Sequence, residues 1–396
     1  MTTEVPFNEQ QLAAIEAAVA WYQNWYSPTL GVPRKQVFFL AGFAGTGKTT
    51  VAMTIAKRCA GELFRVEFIA PTGKAASRLR QKGCATARTM HQFNYNLRGE
   101  DDEGNPIFRA KETLDAKPKL IVLDEASMVG EYEYHDLIAH NIPILALGDI
   151  GQLPPVKAAA AFTATHVDVL LDKIERQGKD SNIIRASMFV REGKKLPWRE
   201  YDDVRVREGK PSTDDLLAHA VEDAQILCSY NNTRSYINNK IRAKLGFKST
   251  LPEVGEKVVC RFNQHGYGIM NGEQGIVLDY TQVDTRREDV ENIYDDEEDD
   301  GSRMVLRSLT DGRTLTVRFQ RKSFSDDFEE RKEFSKKPGA FDFGYALTVH
   351  SSQGSEWPRV LVIEESMRGI DYAKLMYTAV TRAQEVLTIY RDTSRY

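Results

Sequence analysis

The 396-residue sequence predicts an α/β fold in two units, the second interrupted by a small antiparallel β insertion. Three features predict it. Apolar runs such as Phe38-Phe39-Leu40-Ala41 and Leu120-Ile121-Val122-Leu123 are continuous rather than alternating, as in strands buried on both faces of a parallel sheet. Helix-length amphipathic segments separate these runs, and the same alternation starts again near His166. Between Gly255 and Phe319 it gives way to short strands with turn pairs at Asn271-Gly272 and Asp311-Gly312. At about 150 residues per domain, the length fits two or three domains.

In chain order, Asn8 to Tyr26 predicts an amphipathic helix with Leu12, Ile15, Val19 and Tyr22 on one face. Asn8 and Gln11 have the spacing of a capping box at its start. A strand over Gln36–Ala41 leads through a Gly-rich turn into a helix over Lys48–Cys59. Strand Arg65–Ala70, helix Lys74–Gln81 and strands Lys119–Leu123 and Ile142–Leu147 complete the first unit. Within it, Asn94–Arg98 and Asn105–Arg109 flank Gly99-Glu-Asp-Asp-Glu-Gly104 as the arms of a hairpin. The second unit has strand Ala224–Ser229 and a helix over Thr233–Leu245 before the insertion. After it come Tyr345–Val349, Val360–Glu364, a helix over Tyr372–Ala383 and strand Val386–Tyr390. The expected divisions are 1–165, with an insertion at about 92–117, then 166–250, 251–340 and 341–396.

Composition narrows the class. Hydrophobic residues make up 41% and charged residues 28%, which is globular. The four cysteines are scattered with no C-x-x-C pair, so a reducing compartment, the cytoplasm, is expected, with no zinc ribbon. No apolar run reaches the roughly 18 residues that span a membrane, and Met1–Gln10 lacks the charge and apolar run of a secretory signal. Net charge is −4, but Thr281–Ser302 alone carries ten carboxylates against Arg286 and Arg287. The rest of the chain is therefore mildly basic and can carry a phosphate-binding groove, with the acidic stretch as a solvated loop.

Gly42-Phe-Ala-Gly45-Thr-Gly47-Lys48-Thr49 matches G-x-x-x-x-G-K-[ST] between a predicted strand and a predicted helix. Glycines let backbone N–H groups of Gly45, Thr46, Gly47, Thr49 and Thr50 turn toward phosphates at a helix N-terminus. Lys48 would reach the β- and γ-phosphates, and Thr49 would ligate Mg²⁺. The expected cofactors are ATP and Mg²⁺. Leu120-Ile-Val-Leu-Asp124-Glu125 ends an apolar strand in two carboxylates. Asp124 suits the Mg²⁺ shell and Glu125 the base that orients an attacking water. In Gly148-Asp149-Ile-Gly-Gln152-Leu-Pro-Pro155, Gln152 can touch the γ-phosphate or that water.

With these motifs in place the sequence resembles superfamily 1 helicases, in the 5′-to-3′ branch that includes phage Dda and the RecD-like enzymes. Further matches are Ala70-Pro-Thr-Gly-Lys-Ala-Ala76, Thr89-Met-His91, Val349-His-Ser-Ser-Gln-Gly-Ser-Glu356 and Tyr377-Thr-Ala-Val-Thr-Arg382. The resemblance implies two RecA-like P-loop domains, a β-hairpin pin in the first and an SH3-like insertion in the second. It implies that Gln11 reads adenine, although the capping box explains that residue equally well. Arg176 and Arg382 would be arginine fingers from the second domain, where charge develops on the γ-phosphoryl oxygens. Gln353 and Glu356 would lie at the same cleft or on its DNA side. Pro71, Thr72, Lys74, Thr89, His91, Thr348, His350 and Ser351 would follow a DNA backbone without sequence preference. Gly73 departs from the family, which often carries a larger residue there. Ile107 and Phe108 are the candidates for the apolar tip of the pin.

The implied activity is ATP-dependent 5′-to-3′ translocation on single-stranded DNA with duplex unwinding, by a monomer. Its partners would be single strands, single-strand/duplex junctions and replication or recombination proteins, not a membrane. A P-loop ATPase of another class, for assembly or signalling, is the alternative. It would share Lys48 and Asp124 but leave the His350–Glu356 and Tyr377–Arg382 strings unexplained.

Overall fold

The computed structural model describes residues 6–100, 106–114, 117–155, 159–174, 181–282, 302–335 and 337–392. The first lobe is a six-stranded parallel sheet, ordered Arg88–Thr89, Val66–Ala70, Leu120–Leu123, Ile144–Gly148, Val37–Gly42, Val169–Leu171. Successive residues of each strand face opposite ways, and here both faces are dry. Phe38, Leu40, Phe68, Val122 and Leu145 pack beneath helices Glu9–Tyr26 and Lys48–Ala60, while Phe39, Ala41, Ile69, Ile121 and Leu123 enter a second cluster. That double burial is why these runs are continuous in apolar residues. Strand Val169–Leu171 pairs with the P-loop strand, so the first sheet reaches past the expected division at 165.

The first helix starts at the Asn8 cap with both reciprocal hydrogen bonds to Gln11 in place. The hairpin is present, its arms Tyr95–Glu100 and Pro106–Ala110 paired with an irregularity between Leu97 and Gly99. Phe108 stands opposite Leu97, several residues in from the turn, so the expectation that it forms the tip is corrected. It packs edge-on to His91, ring centroids 5.2 Å apart, and remains 39% exposed.

The second lobe repeats the layout. Its sheet runs Ala346–Thr348, Ala224–Cys228, Trp357–Glu364, Ala383–Arg391, Val204–Glu208, with Arg199–Glu200 antiparallel at the edge. Helices Asn182–Arg191, Asn231–Leu245 and Tyr372–Val380 accompany it. The insertion is a five-stranded antiparallel sheet: Thr314–Arg318, Ser302–Ser308, Gln274–Gln282, Lys257–Cys260, Phe341–Phe343. Its fifth strand carries the insertion to Phe343, beyond the expected end at 340. Most of the acidic stretch, 283–301, lies outside the described residues. No described helix is long and apolar enough to cross a membrane.

Candidate nucleotide site and nucleic-acid groove

The P-loop strand ends at Gly42, and its helix begins at Lys48 behind Gly47, whose φ of +77° places it in the left-handed region. Gly45 has the same φ, which strains any residue with a side chain, and a Cβ there would also lie 2.8 Å from Ile184 Cδ1 of the second lobe. The loop encloses one side of a cavity of about 290 Å³ whose wall includes residues 43–50, Asp124, Glu125, Asp149 and Gln152. Lys48 folds back over the loop, its Nζ donating to the carbonyls of Gly42 at 2.7 Å and Phe43 at 3.0 Å. Thr49 and Thr50 line the cavity, while Thr46 is buried with its hydroxyl on the Phe43 carbonyl.

Asp124 and Glu125 sit at the carboxyl end of their strand, facing the loop. Burial, reinforced by the neighbouring Glu125 charge, raises the pKa of Asp124 against the pull of Lys48 and Lys82. A cation beside it would relieve that cost. Thr49 and Asp124 together offer the hydroxyl and carboxylate oxygens that Mg²⁺ takes from a P-loop protein, with phosphates and water completing its shell. Bound there, the ion would neutralise charge on the phosphates. Glu125 has φ +52°, left-handed for a residue with a side chain, and its N–H donates to Asp124 Oδ1 at 2.9 Å. Gln152 is 7% exposed and its amide oxygen is buried without a hydrogen-bond partner, the state of a group awaiting a ligand or water.

The second lobe closes the cavity. Arg382 lines it, 2% exposed, with its guanidinium held by Thr378 O at 2.9 Å, Ser355 O at 3.0 Å and Thr381 Oγ1 at 3.0 Å. Glu356 lines the same cavity and pairs with Arg78 of the first lobe at 2.6 Å. Burial works against the Glu356 carboxylate, but Arg78 and Arg382 outweigh it and hold the group below its ordinary range. Gln353, unassigned between cleft and DNA side, faces the other way and donates to Leu153 O at 2.8 Å. Arg176 lies outside the described residues.

Gln11 is not part of the cavity wall. It is 3% exposed, its amide oxygen accepts from Asn8 N at 3.0 Å, and its NH₂ donates to Thr46 O at 3.1 Å. The side chain thus fastens the first helix to the P-loop, with both ends of its amide engaged within the protein.

A second cavity, of about 210 Å³, gathers Thr72, Lys74, His350 and Ser351 from the DNA candidates, with Arg261 and Asn271 of the insertion. Thr72 caps helix Gly73–Gln81, Oγ1 accepting from Ala75 N at 3.2 Å. Half-buried Lys74 lies over the Trp357 ring at 4.4 Å, and burial with the nearby charges of Lys257 and Arg78 lowers its pKa to about 7. Pro71, Thr89, His91 and Thr348 stand outside this cavity. Thr89 is a buried cap for helix Met90–Asn94, and Thr348 is buried against the Ser351 hydroxyl at 2.9 Å. Gly73 is explained by close approach, because a Cβ there would lie 2.4 Å from Met270 Cβ of the insertion.

Sequence reasoning assigned no role to Arg78, Lys82, Thr381, Tyr377 or Trp357. Two of them, Tyr377 and Thr381, sit inside a string already quoted, but nothing in a string says which side chain crosses to the other lobe.

Comparison with known proteins agrees with this layout. The AAA domain family matches residues 28–209, and the UvrD-like helicase C-terminal domain matches residues 343–390, the stretch that supplies Glu356 and Arg382. The chain resembles the superfamily 1 helicases of the RecD and Pif1 kind. It is 29% identical over 354 residues to the ATP-dependent RecD2 DNA helicase of Deinococcus radiodurans, covering 87% of this chain and 46% of that protein. It is 23% identical over 421 residues to the RecD subunit of the Mycobacterium tuberculosis RecBCD enzyme, covering 89% and 66%. The chain therefore spans about half the length of the first of these relatives. A Bacteroides Pif1 helicase solved with ADP-AlF3 and single-stranded DNA superposes with TM-score 0.55 at 18% identity, covering 98% of this chain and 93% of that one. The Candida albicans Pif1 helicase gives 0.54 at the same identity, covering 98% and 95%. These structures establish the two-lobed α/β fold.

Proposed function

We propose that the chain is an ATP- and Mg²⁺-dependent DNA helicase that moves 5′ to 3′ along single strands and parts duplexes ahead of it. The observation that carries this reading is one cavity walled by a P-loop from one lobe and by Arg382 and Glu356 from the other. A nucleotide there touches both lobes, so its binding and hydrolysis change how the lobes meet. The adjoining groove is lined by both lobes and the insertion, so such a change alters the grip on a strand. Lys48 and the loop amides hold the phosphates. Glu125 orients the attacking water with Gln152, and Arg382, joined by Arg176, stabilises the charge that develops on the γ-phosphoryl group. The hairpin acts as the pin and the antiparallel insertion as an SH3-like domain. The relative whose name states ATP-dependent DNA helicase supports the activity, and the Pif1 structure holding ADP-AlF3 and single-stranded DNA shares the fold.

Partial duplexes carrying a 5′ or a 3′ single-stranded tail test the proposal, with Lys48→Ala as the inactive control. Strand separation from the 5′-tailed substrate alone is expected. ATP turnover that ignores single-stranded DNA, with neither duplex opened, would favour the assembly or signalling ATPase instead.

A further inference from the structure

One buried hydroxyl joins the two lobes at the point where the nucleotide cavity is built. Tyr377, on helix Tyr372–Val380 of the second lobe, is 1% exposed. Its hydroxyl accepts from the P-loop amide Ala44 N at 2.9 Å and donates to Asp149 Oδ2 at 2.7 Å. Asp149 is itself 1% exposed, and its other oxygen accepts from Gly151 N at 3.0 Å, one residue before Gln152. The Tyr377 ring also packs tightly over Gly151, where a Cβ would fall 3.0 Å from Cε1, and it meets Phe43 edge-on at 6.4 Å. Ala44, Asp149 and Gln152 all line the cavity, whereas Tyr377 does not. The next residue, Thr378, accepts from Leu153 N at 2.9 Å and so holds the far end of the same loop.

We infer that Tyr377 is a positioning residue for ATP hydrolysis, its hydroxyl setting the P-loop at Ala44 and the Asp149–Gln152 loop together only when the second lobe is docked. The inference rests on the helicase reading above and goes further, because it names how docking reaches the reacting groups. The chemistry favours such a role. A neutral phenol can accept and donate at once, so it satisfies a backbone N–H and a buried carboxylate with one oxygen. Phenylalanine at the site would keep the packing while leaving both partners short of a hydrogen bond in a dry setting, where that shortfall is costly. Since Tyr377 reaches no phosphate itself, its loss should tell on turnover rather than on nucleotide binding.

The test compares the full chain with Tyr377→Phe and Thr378→Val, measuring ATP turnover with and without single-stranded DNA, affinity for a fluorescent ADP analogue, and thermal melting. For Tyr377→Phe we expect kcat to fall roughly tenfold or more, with KM and nucleotide affinity within about twofold and the melting profile still cooperative. Thr378→Val weakens docking without touching Ala44 or Asp149, so its kcat should fall much less. A Tyr377→Phe enzyme with kcat within twofold of the parent overturns the inference and leaves the helicase reading standing. Equal losses in the two variants also overturn it, since general docking would then be the cause. If the parent turns over ATP without stimulation by DNA, the helicase reading fails, and the basal kcat of the same variants still decides the role of Tyr377.

Discussion

At the scale of single residues, Arg382 has two tasks. Its guanidinium holds two carbonyls and a hydroxyl of its own lobe and still faces the nucleotide cavity. A lysine keeps the charge but cannot present the planar fork. Arg382→Lys should therefore leave nucleotide affinity within a few-fold while hydrolysis falls by about 10² or more, approaching the 10³–10⁵ ascribed to arginine fingers. Equilibrium binding and single-turnover hydrolysis, measured side by side, check this. An affinity loss as large as the rate loss would make Arg382 a binding residue. The P-loop, Asp124, Glu125 and Gln152 could be picked out because phosphate and metal chemistry demands fixed residue types at fixed spacing, whereas Arg382 was reached only through the resemblance of its string to the helicase family. Gln11 was ambiguous, because the same residue type serves a capping box and an adenine contact; the structure shows the capping box and a bond to the P-loop carbonyl of Thr46. Arg78 was also hidden, since its partner Glu356 is 278 residues away.

Among elements, the strands of the two parallel sheets could be located because burial on both faces removes polar residues from the run. Strands that are short or at an edge carry no such signal. Val169–Leu171, Arg199–Glu200 and Phe341–Phe343 have two or three residues each and were found only by their pairing. The hairpin was legible from its Gly-flanked acidic turn, but the place of Phe108 along it depends on register, which a bulge near Leu97 alters. Phe108 is packed on His91 and partly exposed, so it can still meet a base from the side of the hairpin. Phe108→Ala should cut the unwinding rate several-fold while DNA-stimulated ATP turnover falls less than twofold. Equal losses in the two assays would assign the ring to holding the hairpin on the first lobe.

For the whole molecule, the groove is assembled from three bodies, and Gly73 marks where the first lobe and the insertion touch. A methyl group there would lie 2.4 Å from Met270 Cβ, backbone-near atoms that cannot swing aside. Gly73→Ala should force the insertion off the first lobe, at a cost of about 1–3 kcal/mol for overpacking. We expect a lower melting temperature and weaker binding of a single-stranded oligonucleotide, with nucleotide affinity unchanged. Unaltered DNA affinity would show that the insertion does not shape the groove.

If Glu125 orients the attacking water as proposed, its left-handed turn limits how durable this protein can become while it still works. Glycine adopts that conformation without penalty, so Glu125→Gly should raise the melting temperature by roughly 1–3 °C and end hydrolysis together. A search for heat-tolerant variants would reward that exchange and recover inert proteins, a trade between robustness and turnover written into one backbone angle.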